Sequence, residues 1–90
     1  MGMYEFLCNL AKALSEYAEM EGSEAGNYWF HLAALVGCYD GMSEMFKVSL
    51  VEEMKRCLAD IEENYEVIEH PETIDTVTNP GYKELVYKDD

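Results

Sequence analysis

Three runs of apolar residues at helical spacing, followed by a β-branched and aromatic tail, predict a mostly α protein: an antiparallel three-helix bundle with a short C-terminal β-hairpin or extended arm. Short connections between the runs make the antiparallel order the default. Ninety residues suit a single domain over 1–90. An apolar fraction of 49% is enough for a packed core.

Helix 1 is expected over about 3–21. Met3, Leu7, Leu10, Leu14 and Tyr17 step by four and three along one stripe, and Glu5, Asn9, Lys12, Glu16 and Glu19 take the other side. Gly22 follows as a C-terminal cap. Helix 2 is expected over about 24–46, entered through Ser23 or Asn27. It is apolar nearly all round from Tyr28 to Tyr39, and Ala33, Gly37 and Gly41 recur every fourth residue. Such a row of small side chains lets a neighbouring helix approach closely, which would offset the cost of about 1 kcal/mol per mid-helix glycine. Helix 3 is expected over about 50–69. Ser49 and Glu52 fit a capping box, and Leu50, Met54, Leu58 or Cys57, Ile61, Tyr65 and Ile68 continue the stripe until Pro71. The hairpin or arm is expected over about 72–88, with "TIDTVT" and "YKELVY" as strands and "NPG" between them.

Charge is the other strong signal. Nineteen acidic residues against six basic ones leave a net charge of −13. That balance disfavours nucleic acid and anionic membrane as direct partners and favours a basic protein surface. The acids are also clustered. In an antiparallel bundle the end of helix 1, the start of helix 2 and the end of helix 3 share one pole. Glu16, Glu19, Glu21 and Glu24 would meet Asp60, Glu62, Glu63, Glu66 and Glu69 there, with Lys47, Lys55 and Arg56 at the far pole. Acids at helix C-termini oppose the backbone dipole by about 0.3–1 kcal/mol each, so local stability does not account for them. Tyr28, Trp29 and Phe30 are consecutive and cannot share one core-facing direction. Trp29 is therefore assigned, with the nine acids, to a partner-binding patch: an aromatic anchor inside a charged rim.

No nucleophile–base pair and no phosphate-binding loop is readable, so the expectation is a non-enzyme with no cofactor and no metal. Cys8, Cys38 and Cys57 form no CxxC pair and fit a reduced, cytoplasmic protein. No secretory signal is read at "MGMYEFLCNL". The "EENYE" at 62–66 is similar to the EExxE of all-helical nucleoside triphosphate pyrophosphohydrolases, which would hold Mg²⁺ from carboxylates one helical turn apart. The ExxD half of that pattern is missing. In size, acidity and want of a catalytic motif the chain resembles phage-encoded inhibitors of host defence nucleases, anti-CRISPR proteins among them, and the resemblance carries no site residue. It implies a nucleic-acid mimic that occupies the basic groove of a nuclease. The alternatives are a homodimeric helical assembly protein, joined through helix 2 or the hairpin, and the Mg²⁺-dependent phosphohydrolase.

Overall fold

The computed structural model describes residues 2–71 and 81–88. It is mostly helical, with α1 at Met3–Ala18, α2 at Gly26–Leu35, a 3₁₀ segment at Val36–Gly41 and α3 at Glu44–Asn64. Strands β1 (Tyr65–His70) and β2 (Tyr82–Tyr87) follow and pair antiparallel, with Tyr65 opposite Tyr87 and His70 opposite Tyr82. The apolar stripes meet in one core. Leu7 and Leu14 come from α1, Trp29 and Leu32 from α2, and Leu50, Met54, Cys57 and Ile61 from α3, with Leu85 sent in from β2.

Helix α1 stops three residues short of its expected end. Ser23 explains part of this. Its hydroxyl donates to the Ala18 carbonyl at 3.0 Å, so it closes the end of α1 rather than capping α2, whose N-cap, Ala25, makes no side-chain bond. The expected single helix over 24–46 is divided. After Leu35 the chain tightens to a 3₁₀ turn, Cys38 leaves helical geometry at φ −101° and ψ 17°, and Met42 is extended. Gly37 and Gly41 are the physical reason, since each weakens a helix by about 1 kcal/mol. The close packing that would have compensated is absent, because a Cβ built on either glycine meets nothing within 4 Å.

The start of α3 moves accordingly. Ser43, not Ser49, is its N-cap, with the Ser43 hydroxyl accepting from the Phe46 N–H at 3.1 Å. Ser49 lies exposed inside the helix. Ser43→Ala should therefore cost about 1 kcal/mol in urea unfolding. Ser49→Ala should be neutral or stabilising by a few tenths. The reverse order would place the cap back at Ser49.

The end of α3 is also earlier than expected. Tyr65 turns to φ −125° and ψ 155°, and the segment read as the last turns of a helix is β1. Tyr65, Val67 and Ile68 have the branched and aromatic side chains that suit a pleated surface, and "YKELVY" supplies the partner. The hairpin thus joins 65–70 to 82–87. "TIDTVT", expected as one of its strands, lies outside the described residues.

Candidate functional site

The acidic residues are arranged around the hairpin. The connection from α1 to α2 carries Glu19, Glu21 and Glu24, and it is tied to β2 by two backbone bonds. The Glu21 N–H donates to the Lys83 carbonyl at 3.1 Å, and the Leu85 N–H donates to the Glu21 carbonyl at 2.8 Å. Gly22 makes the turn that follows possible, with φ at +84°. β1 lies on the other side of β2 and contributes Glu66 and Glu69. Two stretches of acid far apart in sequence are thereby held on either side of one strand.

Glu16, Glu19 and Glu21 line an open groove of about 490 Å³ together with Tyr82 and Lys83. Glu24 and Asp60 approach Tyr65 from opposite directions in the chain. Burial first, then the negative charge of Glu24 and Asp60, pushes the Tyr65 phenol above its ordinary pKa. Asp60 also accepts from the Asn64 amide at 2.6 Å. Glu62 and Glu63 lie on the last turn of α3, which contains no basic residue of its own. All nine assigned acids are exposed.

Two features differ from the expected layout. Cations are interleaved with the acids: Lys83 stands 3.9 Å from Glu69, and the Lys88 ammonium reaches the Glu62 carbonyl at 3.4 Å. The first is a long pair with both side chains more than half exposed, the kind worth at most about 1 kcal/mol. Lys83 thus dilutes the negative surface without closing it. The second difference is Trp29, which is only 4% exposed. Its ring meets Tyr65 edge-on at 6.3 Å. It is a core residue, and the two aromatics beside it are the ones that emerge, Tyr28 and Phe30. Tyr28 donates to Glu53 at 2.8 Å, and Arg56 binds the same carboxylate. Those two bonds, with Arg56 the stronger influence, hold Glu53 below its ordinary pKa.

The Mg²⁺ alternative depends on a helix running through "EENYE". Glu62 and Glu63 are helical, but Glu66 is on β1, so the three carboxylates do not share one helix face. No three His, Cys, Asp or Glu side chains converge as metal ligands among the described residues. Of the thiols, Cys57 is buried, Cys8 half-buried and Cys38 exposed. Burial pushes the Cys57 thiol upward in pKa, away from the reactive thiolate.

Sequence reasoning missed the residues that make the hairpin half of this surface. Glu84 pairs with His70 at 2.9 Å, and Tyr82 stacks on the same imidazole at 4.4 Å. The available signal was the likeness of "YEVIEH" to "YKELVY": two six-residue runs of mixed aromatic, charged and branched residues. No helix among the described residues is long and apolar enough to cross a membrane. No family model, curated protein or solved structure matches the chain.

Proposed function

We propose that the chain is a small acidic interaction module, packed as an antiparallel helical bundle, whose carboxylates bind a basic surface of a protein partner in the cytoplasm. A nucleic-acid mimic that blocks the groove of a nuclease is the most specific form of this reading. The carrying observation is the pair of backbone bonds between Glu21 and β2. It holds the acids of the α1–α2 connection and those of the hairpin in a fixed relation, as a charge-reading surface requires. The test is titration against a basic nuclease with duplex DNA as competitor. Affinity should fall about tenfold or more between low and physiological salt. DNA should compete, and the triple variant Glu19→Lys, Glu62→Lys, Glu63→Lys should bind at least about tenfold more weakly with its far-UV circular dichroism unchanged. Binding that ignores both salt and charge reversal ends the proposal.

One observation favours the homodimer as a second reading. Gly37 opens onto an apolar groove of about 470 Å³ between α1 and α2, bordered by Cys8, Ala11, Phe30 and Ala33. A helix from a second copy fits such a row of small residues. Sedimentation velocity of the intact chain should then show a dimer that Ala33→Glu dissociates. A monomer at high concentration dismisses it.

A further inference from the structure

The ladder between β1 and β2 has a definite phase. The Lys88 N–H donates to the Asn64 carbonyl at 2.7 Å, which makes Asn64 and Lys88 a hydrogen-bonded pair one step beyond the register of Tyr65 with Tyr87. In an antiparallel ladder such pairs alternate with pairs that point their amides away from each other. Glu66, Ile68 and His70 therefore bond to β2, while Val67 and Glu69 aim their N–H and C=O groups outward. The opposite edge agrees with this phase: the Lys83 carbonyl and the Leu85 N–H, on the residues opposite Glu69 and Val67, point outward and bond to Glu21. β2 is thus covered on both sides. β1 makes no backbone bond along its outer edge among the described residues, and its four central residues are exposed.

An open strand edge accepts another strand, and the side chains beside it select which. Along β1 the order is Glu66, Val67, Ile68, Glu69: two apolar residues, 42% and 37% exposed, between two carboxylates. A strand laid against this edge meets negative charge, two apolar positions and negative charge again. A second copy is a poor occupant of this edge, because pairing β1 with itself would gather four carboxylates, Glu66 and Glu69 of each copy, in one short ladder. Opposite charge is the match. The geometry points to an extended segment of a partner protein, basic–apolar–apolar–basic in sequence, that adds to the sheet along β1. This inference rests on the acidic-surface reading and specifies the conformation of what that surface binds.

The probe is a short synthetic peptide with Lys-Val-Val-Lys at its centre, titrated onto the intact protein by NMR. Saturable binding is expected, with slowed exchange of the Val67 and Glu69 amides. A Glu-Val-Val-Glu peptide should not bind. Val67→Pro removes an outward N–H without removing a bond to β2, so it is tolerated as an edge proline, and it should weaken the peptide at least about tenfold with unchanged circular dichroism. If that variant does not fold, the peptide N-methylated along its central backbone decides. It keeps its charge and loses its ladder bonds. Equal binding of the methylated peptide overturns the strand addition while leaving the acidic surface intact. Full protection of the Val67 and Glu69 amides in the free protein also overturns it, as does failure of the parent peptide when a basic nuclease still binds in a salt-dependent way. Failure of both peptide and nuclease removes the two readings together.

Discussion

Trp29→Ala should destabilise the protein by about 3–5 kcal/mol, the range for deleting a buried aromatic side chain. A chain of this length has about 5–13 kcal/mol to lose, so the melting temperature should fall by roughly 15 °C or more. The cost comes from two sources. The indole is buried beside Leu32 and Val36 in the core, and its edge-to-face contact with Tyr65 begins a relay. Tyr65 in turn meets Tyr87 edge-on at 5.3 Å. Each such pair adds about 0.5–1.5 kcal/mol beyond area burial. Removing Trp29 thus loosens both α2 and the attachment of the hairpin. Trp29→Phe, which keeps a ring in the same place, should recover much of the loss. The measurement is thermal unfolding by circular dichroism, run beside the binding assay. A Trp29→Ala protein that melts like the parent but no longer binds a basic partner would restore the anchor role that the sequence pattern suggested. The structure instead leaves exposed aromatic surface to Tyr28 and Phe30.

The fate of Trp29 illustrates what the sequence made legible. Trp29, Leu32 and Val36 follow i, i+3, i+7 spacing, and that pattern assigns them all to one buried face. The uniform apolarity of Tyr28–Tyr39 hid it, because neighbours on every side were hydrophobic too. Where polar residues alternate clearly with apolar ones the reading was sound: Leu7 and Leu14 on α1, and Leu50, Met54, Cys57 and Ile61 on α3, are buried as their spacing requires. The helix ends were harder. "SLVE" fits a capping box, yet its serine is helical, since the glycines upstream had already ended the preceding helix and Ser43 was the first residue able to restart one. Residues 65–70 continue the helical stripe for one more turn on paper. Only pairing with a strand twelve residues beyond His70 tips them to β, and such a non-local term is invisible in a local window. The acidic surface was legible as two clusters. Its means of assembly was not, because it runs through backbone groups of Glu21, Lys83 and Leu85, which carry no side-chain signature.

That assembly predicts a second large effect, at Gly22. The residue sits at φ +84°, where an L side chain costs about 1–2 kcal/mol. The added Cβ would also lie 2.9 Å from the carbonyl oxygen of Leu85. That atom belongs to backbone, so relief requires the strand or the connection to move, at a further cost of about 1–3 kcal/mol. Gly22→Ala should therefore lose about 2–5 kcal/mol in urea unfolding. Gly37→Ala is the matched control. It has open space around the new methyl and no positive φ, so it should be neutral or stabilising by up to about 1 kcal/mol. The functional consequence separates Gly22 from an ordinary destabilising change. Leu85 donates to Glu21 through the peptide group next to the clash, and displacing it parts the acids of the α1–α2 connection from those of β1. Affinity for a basic partner should then fall at temperatures where the variant is still folded, with a shallower salt dependence because fewer carboxylates act together. A Gly22→Ala protein as stable as the parent would mean that the connection does not rest on β2. One that is less stable but binds with unchanged affinity and salt dependence would mean that the two groups of acids do not act as one surface.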